Sequence, residues 1–472
     1  MSHSKEQSSP VDLPIVGFVS LGCPKNLVDS EKMLGQIAES GAVVTGDESA
    51  ADTMVVNTCG FLGTARQEAL DVISDLAERK RCGKLKRLVV AGCLVQRDGR
   101  KLLEEIPEID SLVGVNNRDD VAEAVWCGAG TQSSIETEAG VCSTEPKAPS
   151  LYLGDYHPQP WSDRGRLRLT PRHYAYVRIS EGCNQKCTFC TIPSIRGPMH
   201  SKTPDQIVAE CREMTADGAR ELILIGQDTT SYGDDLDAPS GLANLLRTLD
   251  RECDAARWLR LMYVYPSVFT DEMIAAIAEC DRVVKYIDIP LQHINDRVLK
   301  SMGRRVTRRQ QETLLDKLCR RIPGVTIRTT FIVGFPGETD AEFDELETFV
   351  CDFGFDAVGA FSYSHEPETP AARIPGEVDD AVKTERYNRL MQTQQEVAFA
   401  AARRRIGTRF DVIADGSDAN GGVIARHTGQ APDVDGICRV QSEVCTPGNL
   451  LHVHCTNADD YDLVVEPVAQ RE

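Results

Sequence analysis

A chain of 472 residues with 41% hydrophobic and 26% charged residues has the composition of a globular protein, and the length for two or three cores. No apolar run approaches the roughly 20 residues of a membrane helix, and the opening MSHSKEQSSPVD lacks a signal-peptide core, so the reading is a cytoplasmic protein with no membrane partner. A net charge of −20 disfavours non-specific nucleic-acid binding and suits a basic partner, although acidic proteins are also simply soluble.

In chain order, residues 1–12 read as a disordered tail and 13–128 as a small doubly wound α/β domain. Its parallel strands are expected at Ile15–Leu21, Thr53–Asn57 and Arg87–Ala91, with helices at Asp29–Ser40, Ala65–Lys80 and Asp98–Glu105. Residues 129–171, scattered with Gly, Ser, Thr and Pro, read as a linker. From 172 to 403 strand candidates recur at Tyr174–Ile179, Glu221–Ile225, Leu259–Val264, Val284–Ile289, Thr326–Val333 and Ala357–Ser362. Six βα units in series predict a partial, open barrel. From 404 to 472, short β-like runs with GSDANGG and TPGN turns predict a small all-β barrel.

Seventeen cysteines in a reducing compartment point to metal or redox chemistry and to buried packing, not to disulfides. Cys183, Cys187 and Cys190 follow a strand at C-x3-C-x2-C spacing. Three thiolates on so short a loop suit one iron–sulfur cubane, and the missing fourth ligand leaves an iron open to a small molecule. The alternative is a zinc knuckle completed by His200 or Cys211. Cys23, Cys59 and Cys93 each end one of the first three strands, the edge where parallel sheets place ligands, and each has a glycine beside it (Gly22, Gly60, Gly92). One such cysteine would be packing; three in register can hold a second cluster. The nine histidines show no metal-binding spacing.

Cys183-x3-Cys187-x-Phe189-Cys190 resembles the radical S-adenosylmethionine signature. LGCPKNLVDSE, VNTCGF, AGCLVQR, ILIGQDTTSYG, IDIPLQH, FIVGFPGE and YSHEPETPA resemble the methylthiotransferase family of those enzymes almost end to end, and the tail resembles a TRAM domain. The resemblance implies the partial (βα)6 core and two 4Fe-4S clusters, one on Cys23, Cys59 and Cys93 and one on Cys183, Cys187 and Cys190. S-adenosylmethionine serves as methyl donor and radical source, with no catalytic residue beyond the cluster ligands. Phe189, Gln227, Gly334, Gly337 and Glu338 are candidate S-adenosylmethionine contacts. The glycine turn is otherwise a plain βα turn, and Gln227 with Asp228 otherwise caps the next helix.

Pro24-Lys25 and Asp460-Tyr461-Asp462-Leu463 resemble the branch that modifies an aspartate of the twelfth small-subunit ribosomal protein. This implies that ribosomal protein as partner, free or in the ribosome, and an electron donor. The alternative is a transfer-RNA adenosine methylthiotransferase. Residues 404–472 carry six Arg and no Lys against eleven acidic residues, which leaves −5 and argues against a stable nucleic-acid partner. Asp459-Asp460-Tyr461-Asp462 is either a docking patch or a solvated turn, and Arg304, Arg305, Arg308 and Arg309 read as a solvated helix face.

Overall fold

In a computed structural model, residues 13–127, 148–154, 161–236, 241–418, 421–441 and 445–468 are described. The tail at 1–12 and most of 129–160 lie outside them. The chain forms two compact units, the first holding the residues up to 159 with Asp163–Leu169 and Ser194–Arg196, the second the remainder.

The first unit is built on strands β1 (Ile15–Ser20), β2 (Val43–Val44), β3 (Thr53–Thr58), β4 (Arg87–Gly92), β5 (Ser111–Val113) and β6 (Ser150–Tyr152). They form one parallel sheet in the order β2-β1-β3-β4-β5-β6. β3 is buried on both faces, as TMVVNT requires of a central parallel strand. Helices α1 (Pro24–Glu39), α2 (Gly63–Arg81), α3 (Cys93–Asp98), α4 (Lys101–Glu105) and α5 (Val121–Trp126) connect the strands. Two of the expected helices differ. α1 starts five residues before Asp29, because Pro24 fits the first helical turn directly after Cys23. The helix expected at Asp98–Glu105 is two short ones, broken at Gly99, where φ is +55°. Within the stretch expected as linker, Ser150–Tyr152 pairs with β5 as the sixth strand.

The second unit begins with β7 (Tyr174–Arg178), the two-residue strand β8 (Ser180–Glu181), α6 (Ile192–Arg196, whose last three residues belong to the first unit) and β9 (His200–Ser201). Alternating elements follow: α7 (Pro204–Ala216), β10 (Glu221–Ile225), α8 (Leu242–Glu252), β11 (Trp258–Leu261), α9 (Asp271–Glu279) and β12 (Tyr286–Asp288). Next come α10 (Asp296–Ser301), α11 (Arg308–Arg321), β13 (Thr326–Val333), α12 (Asp340–Phe353), β14 (Ala357–Ser362) and the long α13 (Asp380–Arg404). Parallel sheets β7-β10-β11 and β12-β13-β14 meet at a Leu259–Val283 bridge, so six strands run in chain order around one core of Ile, Leu, Val and Phe. That is the partial barrel the six βα units predict. Thr203, Thr307 and Thr339 each cap a helix with a reciprocal Gln or Glu three residues on, which fixes where α7, α11 and α12 start.

Strands β15 (Arg409–Ser417), β16 (Val423–His427), β17 (Cys438–Val440), β18 (Leu450–Asp459) and β19 (Asp462–Pro467) close a five-stranded barrel. It docks on the amino-terminal ends of the partial barrel's strands. Arg426 reaches Glu221 at 2.8 Å, Arg260 reaches the same carboxylate at 2.6 Å, and Tyr286 Oη donates to Asp435 at 2.7 Å. The opposite, carboxyl-terminal edge carries the cysteine loop.

Candidate metal centres

The first triplet is assembled by turns that only glycine allows. Gly22 and Gly92, preceding Cys23 and Cys93, have φ of +94° and +98°. A Cβ on Gly22 would lie 2.7 Å from Cys59 Cβ, and one on Gly60 would lie 3.0 Å from the carbonyl carbon of Cys93. The three loops therefore touch at the carboxyl edge of β1, β3 and β4. Cys23 is the N-cap of α1 and Cys93 opens α3. Asn26, wholly buried, ties these ends together by donating to Leu21 O at 2.6 Å and Thr58 O at 3.0 Å.

Arg196 completes this centre. Its guanidinium donates to Cys93 Sγ at 3.1 Å and to Asn26 Oδ1 at 3.0 Å, and it pairs with Asp29 at 3.0 Å. Burial pushes the Cys93 thiol up to about 12, against the opposing pull of Arg196. Burial likewise raises Cys59, with Cys23 adding to the effect. A metal takes the sulfur as thiolate, so ligation at these cysteines would release their protons.

The second triplet lies on the loop after β8. Cys183 N–H donates to Gly197 O at 3.2 Å, while the amides of Gln185 and Ile192 approach Cys183 Sγ and Cys190 Sγ, each at 3.4 Å. The loop is braced from the turn after α10. Thr188 N–H donates to Met302 O at 2.9 Å, and Gly303, at φ +70°, leaves room for Lys186 O. Burial pushes Cys183 up to about 11, with Asp228 and Cys187 adding to it, and Cys190 up to about 12, with Cys187 and Cys183 adding to it.

Among the described residues, no three His, Cys, Asp or Glu side chains close tightly enough to ligate a single ion. A cubane asks for less, because its own sulfides fill the space between cysteine ligands. The donor set of each triplet, three thiols with amide or guanidinium donors turned on the sulfurs, fits such a cluster. The zinc alternative fits poorly, since Cys211 is wholly buried in the barrel core and His200 packs edge-on against Trp161. Cys82 lies exposed at the end of α2.

The remaining candidates are placed as follows. Phe189 packs with Met302, Phe335 and Tyr363 beside the cysteine loop. Gln227 donates to Glu181, and its Oε1 is buried without a partner. Asp228 caps no helix; it accepts from Thr230 and Ser231 and from Gln185 Nε2 at 2.8 Å, so it anchors the cysteine loop. Gly334, at φ +71°, packs against Lys383 of α13, and Gly337 N–H donates to Gly376 O at 2.6 Å. Glu338 is buried against Arg386 at 3.0 Å; burial raises its carboxyl further than Arg386 and the turn amides lower it.

Sequence reading missed Asn26, Arg196, Tyr265, Gln292 and Arg304. Gln292 holds φ of +74°, unusual for a side-chain-bearing residue, with its Oε1 buried and unpartnered. Arg304 is not on a solvated face. It is 7% exposed, lies over the Tyr265 ring at 4.0 Å, and sits 3.7 Å from Cys187 Sγ. Arg308 does face outward, pairing with Glu312 and Glu345.

Three family models match the chain: Uncharacterized protein family UPF0004 over residues 16–114, the Radical SAM superfamily over 177–350, and a TRAM domain over 406–468. Among solved structures, the radical S-adenosylmethionine methyltransferase TsrM from Kitasatospora setae, with cobalamin and a 4Fe-4S cluster bound, aligns with a TM-score of 0.54. It is 17% identical over 76% of this chain and 74% of that one, a likeness of fold. Curated relatives are far nearer. Ribosomal protein uS12 methylthiotransferase RimO of Trichlorobacter lovleyi is 43% identical over 96% of this chain and 98% of its own length. The enzyme of the same name from Geobacter sulfurreducens is 41% identical over 99% of this chain and 100% of its own length. With matches of that identity along nearly its whole length, the chain belongs to the ribosomal protein uS12 methylthiotransferase family of radical S-adenosylmethionine enzymes.

Proposed function

We propose that this protein inserts a methylthio group at the β-carbon of an aspartate in ribosomal protein uS12, with two 4Fe-4S clusters and S-adenosylmethionine as cofactors. The observation that carries the reading is the pair of cysteine triplets, each drawn together at the carboxyl edge of a parallel sheet. Cys23, Cys59 and Cys93 would hold one cluster, and Cys183, Cys187 and Cys190 the other. An aspartate methylene has no acidity that a side-chain base can use near neutral pH. When bound, the cofactors supply the carbon-centred radical, the sulfur and the methyl group that such a reaction requires.

The chain's own task is placement. Glycine turns bring the first three cysteines together, and Asn26 locks their loops. The Gln185–Asp228 bond and the Met302 carbonyl hold the second loop still, and partial burial of both sites limits water. Phe189 and Gln227 flank that loop as contacts for S-adenosylmethionine; Gly334, Gly337 and Glu338 shape the neighbouring turn. An external electron donor feeds the clusters, and the substrate is met free or in the assembled ribosome. The site of action on this reading is the cytoplasm; among the described residues no helix is long and apolar enough to cross a membrane. The net charge of −5 over residues 404–472 favours a basic protein over transfer RNA.

Two triple variants test the division of labour. Replacing Cys183, Cys187 and Cys190 by Ala should abolish reductive cleavage of S-adenosylmethionine. Replacing Cys23, Cys59 and Cys93 should spare cleavage and abolish methylthiolation. Mass spectrometry of uS12 from a deletion strain, rescued by each variant, reads the product directly. Methylthiolated uS12 made by the second variant would refute the role given to the first cluster.

A further inference from the structure

Most buried arginines of this chain meet a carboxylate: Arg260 and Arg426 share Glu221, Arg386 meets Glu338, and Arg196 meets Asp29. Arg304 is the exception beside the second triplet. Among the described residues it has no acidic partner at ion-pair distance, and its Nε is buried without a hydrogen bond. Three contacts hold it. Its guanidinium lies over Tyr265 at 4.0 Å, Nη2 donates to Pro290 O at 2.5 Å, and Nη1 is 3.7 Å from Cys187 Sγ. Tyr265 is itself fixed, its amide donating to Thr230 Oγ1 at 2.9 Å and its hydroxyl lying 3.8 Å from the same sulfur. The nearby Asp228 carboxylate is occupied by Gln185, Thr230 and Ser231.

The geometry points to Arg304 as a positioning residue that raises the reduction potential of the cluster on Cys183, Cys187 and Cys190, with Tyr265 as the platform that fixes its charge. This rests on the reading of those cysteines as cluster ligands. A cluster that gains an electron becomes more negative by one unit, so a fixed cation nearby favours the reduced state. The effect is large only where the charge is buried and not held in an ion pair; Asp228 opposes it at Cys183 but makes no ion pair with it. Arg196 at Cys93 differs on that point, because Asp29 neutralises it. Arginine suits the task because it stays charged when desolvated and presents a planar face to the ring.

The test isolates this cluster in the Cys23→Ala, Cys59→Ala, Cys93→Ala background, reconstituted without oxygen and titrated with dithionite under electron paramagnetic resonance, with no S-adenosylmethionine present. At the potential where the background protein is half reduced, Arg304→Met should lower the reduced-to-oxidised ratio about tenfold, a midpoint about 59 mV more negative. Arg304→Lys, which keeps the charge, should stay within about threefold of the background. Should Arg304→Met bind less iron, Arg304→Gln, which retains a donor for Pro290 O, is held to the same tenfold criterion. An unchanged midpoint in a fully loaded uncharged variant overturns the assignment. So does an unchanged midpoint accompanied by lost S-adenosylmethionine affinity, which would make Arg304 an anion-binding group. A background protein that takes up no cluster refutes the ligand assignment itself, and is recognised before any Arg304 variant is made.

Discussion

Adding a single methyl group at Gly92 tests the first centre most sharply. The position holds φ of +98°, and a Cβ there would lie 2.2 Å from Asn57 Oδ1 and 2.7 Å from Thr58 O. Left-handed backbone alone costs a side-chain-bearing residue about 1–2 kcal/mol. Gly92→Ala should therefore displace Cys93 and reduce iron from about eight to about four per chain, the content of two cubanes and of one. Iron and sulfide analysis of the anaerobic protein checks this; retention of all eight would show that the loop tolerates the strain. The glycine–cysteine pairs were legible in sequence because the cause is local, one residue from its effect. Arg196 and Arg304 were not. They act on sulfurs 103 and 117 positions away, separations that only the folded chain closes.

Among the elements, the strands were the most legible part. Glu221–Ile225, Thr326–Val333 and Ala357–Ser362 fall where their apolar runs predict; the first two are buried along nearly their whole length and leave continuous hydrophobic signals, while the third is half-buried. The two-residue strand β2 and three-residue strands β5 and β6 escaped, being too short to show a period. What joins the elements is less legible still, and Glu221 is the clearest case. Burial alone would raise its carboxyl, but Arg260 and Arg426 outweigh burial and hold it below its ordinary value. Its contribution to stability is therefore present above about pH 4.5 and lost as pH falls through the lowered folded value. Glu221→Gln would leave Arg260 buried beside an uncharged partner while Arg426 keeps Asp415 at 2.7 Å, a loss of about 3–5 kcal/mol. Denaturant unfolding near neutral pH measures this, and the deficit against the parent protein should shrink in acid. A variant as stable as the parent at neutral pH would mean that water satisfies Arg260.

Taken whole, a molecule of net charge −20 that modifies a basic ribosomal protein should meet it by electrostatic steering, which weakens as salt screens charge. The structure refines which acids of the Asp459–Asp462 turn are free for that. Asp462 accepts from Ile437 N–H at 3.0 Å and pairs with Arg439 at 2.8 Å, so it belongs to the barrel's own fold. Asp459 and Asp460 are exposed. Tyr461 is 45% exposed and packs on Phe399 at the lip of a 460 Å³ cleft between α13 and the barrel. Changing Asp459 and Asp460 to Asn should slow uS12 association several-fold at low ionic strength and have little effect at high salt. Equal association rates across a salt series would place the docking surface elsewhere.

The seating of the five-stranded barrel also bears on how far the chain can be cut. Glu221, Arg260 and Tyr286 lie at the foot of the partial barrel and are sealed there by Arg426, Thr428 and Asp435. A protein ending at Arg404 would open that floor to water and leave Glu221, Arg260 and Tyr286 without these partners, above the apolar core they cover. The C-terminal barrel is thus a stopper as well as an appendage, and its removal should yield an aggregating core in place of a soluble enzyme with weaker substrate binding. Size-exclusion chromatography of the shortened chain distinguishes the two, and a monodisperse product would mean that the floor closes without its plug.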